Sequence, residues 1–472
     1  MLSSEKSPDI RNLQSLHLSL SQADKLHVLH PWTDLSALGD GCPLIMTSAS
    51  GIRVSDSQGR TYLDAIGGMW CMTLGYGRTE LAIAMSAQAQ RMAYYTPFGD
   101  IGNEPAARLA EVLAEITPGD LDRVHFTTGG STAIDSAVRI SHYYFASQGR
   151  YSKRWVLSRH NAYHGSTFLA ASLSGKAADR TLFHYEESFV HHLSSPGYDL
   201  DVDDETSEET LERLISEMER EIARIGAENI ACFVAEPILA SGGVLIPPSG
   251  YHVATRELCR MHDILYISDE VVTGFGRLGH FFSSKARFSI DPDLLVIAKG
   301  LTSGYAPLGA VLISTRISQS IAADAPRGKP VFSNGFTYSG HPVSCAVALK
   351  NIELMQREHV CEHVRDVGPY FMEQLYKLSA SPVVYTVRGD HLMACVECWT
   401  GAEKGPTVEN IALARRVDHH CQEAGLLVRP YENLCILSPP LIIGRDDIDR
   451  IVTTLHLAIE KTEHDLKSGA IM

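Results

Sequence analysis

The sequence has no long apolar run and no excess of basic residues. No stretch reaches the roughly 18 uninterrupted apolar residues of a membrane-spanning helix, so we expect no membrane partner. The 41 Lys and Arg against 56 Asp and Glu give a formal net charge of −15, the reverse of the basic balance that binds nucleic acid. Hydrophobic residues make up 44% of the 472 and charged residues 21%, which excludes a disordered chain. The composition therefore predicts a large globular protein.

The N-terminus lacks the pattern of a secretory signal. Its first residues, MLSSEKSPDIRNLQ, contain no basic segment followed by an apolar one. The ten cysteines are scattered and show no disulfide framework. The one close pair, Cys395 and Cys398, lies in a run that alternates like a strand, and no second ligand pair stands at a zinc-like spacing. We therefore expect buried thiols, no metal site and a cytoplasmic location.

Short apolar runs alternate with helical patterns between residues 123 and 298. The runs are Arg123–Phe126, Trp155–Leu157, Ala231–Val234, Ile264–Ile267 and Leu294–Ala298. This alternation is typical of crossover units and predicts an α/β fold, with a mainly parallel sheet covered on both faces. After about residue 345 the pattern changes to helix, strand and helix, which predicts a second, smaller domain built together with the N-terminal arm.

Three further segments have apolar residues at helical spacing. They are Ser131–Gln148, the acidic Asp199–Asn229 and the C-terminal Asp446–Leu466. In the acidic segment, Thr206 and Glu209 stand at the spacing of a capping box, and the charges are typical of a solvated helix face. We therefore predict a helix in each segment and assign no other role to the charges.

Two features lie at the predicted carboxyl ends of strands, where open α/β sheets bind ligands. Phe126-Thr-Thr-Gly-Gly-Ser131 is a turn that opens a helix, so its backbone can approach an anion and present free N–H groups. Asp269 ends the apolar run ILYISD. Glycine turns are common, and a structural strand end can also carry a carboxylate, so neither feature alone identifies a site.

Two cations stand beside apolar runs. Lys299 ends DLLVIAK, where desolvation lowers the pKa of a lysine towards nucleophilic use, although a lysine that extends to water is the alternative. Arg429, in GLLVRP, is typical of carboxylate recognition, with a structural ion pair as the alternative. The four features together match pyridoxal phosphate chemistry. That chemistry needs an amine for a Schiff base, a carboxylate for the ring nitrogen, a phosphate turn and an arginine for the substrate.

Longer motifs extend this pattern over nearly the whole chain. They are His30-Pro-Trp32, LDAIGGMWCMTLGYGR, NAYHGST, AEPI, GGVLIPPSGY, SDEVVTGFGRLG, AKGLTSGYAPLGA, NGFTYSGHP and LLVRPYENLCILSPP. In this order they resemble the class III aminotransferases of pyridoxal-phosphate fold type I, in the amine or omega-amino-acid:pyruvate branch. The resemblance implies a large cofactor-binding domain at 76–344 with a mainly parallel seven-stranded sheet. It also implies a smaller α+β domain at 345–472, completed by the N-terminal arm at 1–75.

The resemblance assigns the residues that hold the cofactor ring. Lys299 would form the Schiff base and then carry the proton between substrate and cofactor. Asp269 would keep the pyridine nitrogen protonated. Tyr163 would stack on one face of the ring and Val271 would press on the other.

The resemblance also assigns the phosphate site and the assembly. Gly130 and Ser131 would bind the phosphate within one chain, and Thr337 would reach it from the neighbouring subunit. The implied assembly is therefore a homodimer with shared active sites, or a tetramer.

The substrate side is implied in the same way. Arg429 would bind the carboxylate of the keto acid and swing away when an amine enters. Trp70 and Tyr95 would line the amine side together with Tyr163, although packing at a dimer interface is the alternative for Trp70 and Tyr95. His164 is interpreted as a structural neighbour of Tyr163.

Two departures from the ornithine- and GABA-type relatives narrow the branch. Those relatives carry a glutamate at the end of Glu-Pro-Ile-Gln-Gly-Glu, where the chain has Ser241, and a glutamine where Val272 stands. The resemblance therefore implies an aminotransferase that moves an amino group from an amine or omega-amino acid to pyruvate, giving alanine, by a ping-pong exchange through pyridoxamine phosphate. It counts against ornithine, acetylornithine or GABA with 2-oxoglutarate.

Other functions stay open at this point. An aminomutase, a decarboxylase or an epimerase would use the same fold and cofactor. A non-catalytic protein that retains the pocket is a weaker alternative because Lys299 and Asp269 are intact. A nucleotide-binding dehydrogenase is weaker still, because no Gly-x-Gly-x-x-Gly follows an N-terminal strand.

Overall fold

A computed structural model describes residues 18–33, 35, 43–196, 206–324 and 332–469. The strands are β1 Met46–Ser50, β2 Arg53–Asp56, β3 Thr61–Asp64, β4 Leu121–Thr127, β5 Trp155–Arg159, β6 Val190–Leu193, β7 Ile230–Ala235, β8 Leu265–Asp269, β9 Leu294–Ile297, β10 Gly309–Ser314, β11 Val384–Asp390, β12 Met393–Cys398, β13 Leu426–Leu427, β14 Arg429–Tyr431 and β15 Leu434–Leu437. The helices are α1 Leu20–His27, α2 Gly67–Trp70, α3 Thr79–Met92, α4 Glu104–Ile116, α5 Gly130–Ser147, α6 Phe168–Leu173, α7 Ser207–Ile225, α8 Tyr251–Met261, α9 Ser283–Phe288, α10 Thr315–Asp324, α11 Pro342–Arg357, α12 Val360–Tyr376, α13 Val408–Glu423 and α14 Arg445–Lys467. Among these residues, no helix combines the length and apolar character that a bilayer crossing requires.

Seven strands form one sheet in the order β4-β10-β9-β8-β7-β5-β6. Strands β5 to β9 pair in parallel, whereas β10 runs antiparallel to both β4 and β9. Apolar clusters pack on both faces of the sheet, so β7, β8 and β9 are buried over their whole length. The predicted α/β fold with a mainly parallel seven-stranded sheet is confirmed.

The predicted helices are present with small shifts at their ends. Ser131–Gln148 corresponds to α5, and Asp446–Leu466 corresponds to α14. The acidic segment contributes α7, and its capping box forms between the side chains and backbones of Thr206 and Glu209. Residues 199–205 of that prediction lie outside the described residues.

Two four-stranded sheets complete the strand pairing, in the orders β1-β2-β3-β13 and β11-β12-β15-β14. The first joins distant parts of the chain, because β13 pairs in parallel with β3. In the second, Cys395 and Cys398 lie on β12 and are buried thiols, as predicted. Within the described ranges, no group of His, Cys, Asp and Glu side chains is arranged to hold a metal ion.

Candidate active site

Six strands of the large sheet, β4 to β9, end at one edge, which we call the carboxyl edge. Strands β5, β7, β8 and β9 are parallel, and β4 runs in their direction because β4 and β9 both pair antiparallel with β10. At this edge lie Gly129–Ser131 after β4, Tyr163 and His164 after β5, Glu236 after β7, Asp269 at the end of β8 and Lys299 after β9. The sheet therefore gathers the predicted lysine, carboxylate and phosphate turn in one place.

Lys299 follows β9 by two residues, in a strained backbone conformation with φ at 44°. Such a left-handed conformation costs a lysine roughly 1–2 kcal/mol, and Asn351 Nδ2 holds the turn by donating to the carbonyl of Gly300 at 2.9 Å. Burial lowers the pKa of the Lys299 amine, and the nearby charge of Asp269 opposes this. Lys299 therefore presents the neutral amine, the form that attacks an aldehyde, at a lower pH than an ordinary lysine.

Asp269 is buried and held by hydrogen bonds on both oxygens. Oδ1 accepts from the backbone N–H of Val271 at 3.1 Å, and Oδ2 lies 2.7 Å from Nδ1 of the buried His164. The histidine is fixed in turn, because its own backbone N–H donates to Ser174 Oγ at 2.9 Å. A carboxylate supported in this way suits a protonated ring nitrogen, since it is aligned before the cofactor arrives.

His164 therefore contacts Asp269, a contact that the sequence interpretation missed. That interpretation made His164 a neighbour of Tyr163 and gave it no role. The sequence signal was present but weak, since a histidine in the loop after a buried strand can pair with a carboxylate at the same edge of the sheet. In the sheet, β7 lies between β5 and β8, which carries Asp269. That arrangement could not be read from the order of strands along the chain.

Replacement of His164 by phenylalanine is expected to weaken cofactor binding and lower turnover by about 10- to 100-fold, because a hydrogen bond to the buried carboxylate is lost. Spectroscopic titration of the cofactor and steady-state rates would measure the two effects. If both quantities stay within about twofold of wild type, His164 does not position Asp269.

The turn before α5 is shaped by two close contacts. A side chain on Gly130 would meet Val271 Cγ1 at 3.1 Å, and a side chain on Gly165 would meet Ser131 Oγ at 2.3 Å. The Ser131 hydroxyl also accepts from the backbone N–H of Ser166 at 3.0 Å. Because the first N–H groups of a helix have no partner within it, this turn is a cradle for an anion.

Tyr163 is attached to the carboxyl edge through its backbone. Its N–H donates to Glu236 Oε1 at 3.0 Å, while Glu236 Oε2 accepts from the N–H of Ala240 at 3.0 Å. Glu236 is buried, and burial raises its pKa. The half-buried ring of Tyr163 meets Trp32 edge to face, with 5.8 Å between centroids. Tyr163 is therefore held both through its backbone and through its ring, and its stacking on the cofactor stays a prediction.

Arg429 lies at the start of β14, half-buried, with Nη1 2.8 Å from Met69 Sδ. Burial lowers its pKa, and the nearby Tyr163 partly offsets this. In the part of the chain that the structure describes, no carboxylate forms an ion pair with Arg429. A half-buried guanidinium that no carboxylate contacts directly can receive an anion from outside the chain.

The remaining predicted residues do not follow strands of the large sheet. Trp70 is 4% exposed and packs with Ile238, Val244 and Leu278, whereas Tyr95 is 54% exposed. Thr337 is also exposed, and its carbonyl accepts from Tyr94 at 2.8 Å. The roles of Trp70, Tyr95 and Thr337 stay predictions.

A family model for aminotransferase class III matches residues 36–459. The chain is a class III aminotransferase. It is 35% identical to putrescine–pyruvate aminotransferase from Pseudomonas aeruginosa, over 92% of the chain and 94% of that protein. It is 36% identical to gamma-aminobutyrate transaminase 1 of Oryza sativa subsp. indica, over 93% of the chain and 86% of that protein.

Solved structures agree with this family. The aminotransferase has a TM-score of 0.89 and 37% identity to an (S)-enantioselective omega-transaminase from Thermomicrobium roseum, covering 94% of the chain and 98% of that structure. The PMP-bound aminotransferase from Vibrio fluvialis gives a TM-score of 0.91 and 34% identity, covering 96% and 100%.

Class III aminotransferases use pyridoxal phosphate, and the carboxyl edge fits that cofactor. The cradle at Gly130 and Ser131, which a side chain on the facing glycines would fill, suits the phosphate. The buried carboxylate of Asp269 suits the ring nitrogen, and the half-buried amine of Lys299 suits the aldehyde. The aminotransferase therefore has the three groups that the cofactor requires, in one place.

Proposed function

We propose that the aminotransferase moves an amino group from an amine or omega-amino acid to pyruvate, giving a carbonyl compound and alanine. The observation that carries this proposal is the half-buried Arg429, which has no carboxylate partner among the described residues. Its charge lies close enough to Lys299 to add to the lowering of the lysine pKa. An arginine beside the reactive amine can hold the carboxylate of a small keto acid.

Some of the site residues are proposed to bind the cofactor, and others to take part in the proton transfers. The cofactor, when bound, supplies a carrier that keeps the amino group as pyridoxamine phosphate between the two half-reactions. In our proposal Lys299 binds that carrier and moves the proton at the substrate carbon, and Asp269 holds the ring nitrogen protonated. Tyr163 and Val271 keep the ring flat between them, and Gly130 and Ser131 anchor its phosphate.

The donor is the second part of the proposal. Ser241 stands where the GABA-type relatives were expected to carry a glutamate, and its hydroxyl is buried without a hydrogen-bond partner among the described residues. No carboxylate is therefore supplied there to neutralise Arg429 when a donor enters. The chain is about equally similar to a relative named for putrescine and pyruvate and to one named for gamma-aminobutyrate. An omega-amino acid such as gamma-aminobutyrate is therefore the second candidate donor.

Replacement of Arg429 by leucine tests the proposal. We expect the second-order rate of the pyruvate half-reaction to fall by about 100-fold, because a charge-assisted hydrogen bond to the carboxylate is lost. The half-reaction with an apolar amine should change by less than about threefold, because no carboxylate is bound there. Single-turnover spectroscopy of each half-reaction measures both rates.

The matched control is Arg287→Leu, which removes an exposed arginine paired with Asp390 and should leave both rates unchanged. Equal losses in the two half-reactions of Arg429→Leu would contradict a role in acceptor recognition. If amine produces no pyridoxamine form that pyruvate can reoxidise in the wild type, the reaction is not this transamination.

Assembly, domain boundaries and location belong to the same proposal. Exposed aromatic side chains of Tyr94, Tyr95, Phe98 and Tyr338 lie near Thr337 and support a homodimer in which Thr337 serves the partner's site. Pairing of β13 with β3 supports a small domain built from both chain ends. The described cysteines are unpaired thiols, which supports a cytoplasmic location.

A further inference from the structure

A carboxylate outside the carboxyl edge connects three separate segments beside Arg429. Asp179 Oδ1 accepts from Trp32 Nε1 at 3.1 Å and from the Tyr431 hydroxyl at 3.3 Å. Asp179 Oδ2 lies 3.4 Å from Nζ of Lys176. Trp32 belongs to the N-terminal arm, Lys176 and Asp179 to the turn after α6, and Tyr431 to β14. We call these four residues the Asp179 cluster.

The turn that carries Asp179 is itself fixed. Arg180 Nη1 donates to the carbonyls of Ser172 and Ser174 at 3.2 and 3.0 Å, and its guanidinium lies 4.1 Å from the ring centroid of Tyr185. The Tyr185 hydroxyl donates to the backbone carbonyl of Asp179 at 2.7 Å. Asp179 is therefore a rigid point to which a more weakly held element can be attached.

β14 is such an element. It has three residues, lies at the edge of its sheet and pairs only with β15 in the described residues. An edge strand is hydrogen-bonded to another strand on one side only, so side-chain contacts can add to what holds it in place. Alternate residues of a strand point to the same face, and so Arg429 and Tyr431 share a face. Fixing Tyr431 therefore fixes the strand from which Arg429 reaches the substrate.

The negative charge of Asp179 also acts on Lys176, which lies over the ring of Tyr431. Lys176 is 6% exposed and its Nζ lies 3.3 Å from the ring centroid of Tyr431. Burial lowers the pKa of Lys176, and the nearby charge of Asp179 opposes this shift. An ammonium group at this position interacts favourably with the face of the ring. Tyr431 is thus held twice, through its hydroxyl by the carboxylate and through its ring by the cation that the carboxylate stabilises.

We propose that Asp179 is a positioning residue that holds β14 through Tyr431, and thereby sets how well Arg429 receives the carboxylate of the keto acid. The inference rests on the proposed function, because it assumes that Arg429 binds the acceptor. Asp179 is proposed to act through Tyr431 and to contact neither substrate nor cofactor. Its effect is on the acceptor half-reaction, since an apolar amine makes no use of the arginine.

The variants Asp179→Asn and Tyr431→Phe test this. We expect each to lower the second-order rate of the pyruvate half-reaction by about tenfold, mainly through a weaker apparent affinity for pyruvate. The apolar amine half-reaction should stay within about twofold of wild type. The double variant should lose little more than either single one, because both changes weaken the same contact: asparagine removes its charge and phenylalanine removes its donor. If Asp179→Asn fails to fold, Tyr431→Phe still tests the proposal.

The matched control is Tyr370→Phe, which removes a hydroxyl that donates to the exposed Asp449 at 2.6 Å. It should leave both half-reactions unchanged. Equal losses of the two half-reactions in Tyr431→Phe, or losses that multiply in the double variant, would overturn the inference.

The variant Arg429→Leu separates this inference from the proposed function. If Arg429→Leu spares the pyruvate half-reaction, the proposed function fails. If Arg429→Leu impairs that half-reaction while Asp179→Asn and Tyr431→Phe do not, only the positioning role fails. In the double variant Arg429→Leu with Tyr431→Phe, the second change should have no further effect.

Discussion

Replacement of Lys299 by alanine is expected to lower turnover by more than about 10⁵-fold, because the covalent anchor and the proton carrier are lost together. Burial lowers the pKa of this amine, so at neutral pH it is more often neutral than an ordinary lysine. Borohydride reduction of the wild type, followed by peptide mapping, should find a pyridoxyl group on Lys299. The variant should give no such peptide.

Two other lysines make the test specific. Lys176 is buried and its Nζ lies 5.8 Å from the ring centroid of Tyr163, so it is the amine in the described residues that we regard as the rival anchor. A pyridoxyl group on Lys176 in the wild type would contradict the assignment of Lys299. The control Lys285→Ala removes an exposed lysine paired with Asp291 and should leave turnover within about twofold.

Replacement of Asp269 by asparagine should lower turnover by about 10³-fold, with little change in the folding of the protein. Asparagine has the same size and can still accept from the N–H of Val271. It cannot supply the negative charge that keeps a ring nitrogen protonated, and such a preorganised charge is worth about 10²–10³ in rate. Steady-state rates at saturating cofactor, with thermal unfolding in parallel, measure the two properties separately.

The control for Asp269 is Asp263→Asn, which removes a half-exposed carboxylate paired with Arg150. It should change turnover by less than about twofold. If Asp269→Asn keeps turnover within about tenfold of wild type at saturating cofactor, the charge at the ring nitrogen is not required. A large loss accompanied by a large drop in thermal stability would instead show that Asp269 acts through the fold.

The sequence predicted the strands that carry the site well, because each is a short apolar run followed by a chemically distinctive residue. Asp269 and Lys299 were placed at strand ends on that ground alone. The reversed β10 was not predicted, since an isolated apolar run gives no information on the direction in which it pairs. His164 and Glu236 were also missed as parts of the site. A polar residue near a strand end acquires its role from residues at the ends of other strands, and only the sheet order brings these together.

The Asp179 cluster is a clearer example of contacts that the sequence could not predict. Trp32, Asp179 and Tyr431 come from three segments that are far apart in the chain, and the contacts of Asp179 with Trp32 and Tyr431 do not follow from a local pattern. By itself the sequence determined the family and the fold and led to the residues proposed to bind the cofactor, because these depend on local motifs at strand ends. Only the tertiary structure decided which side chains support those residues. Hydrogen bonds and ion pairs act over a few ångströms, and chain folding alone brings their partners within that distance.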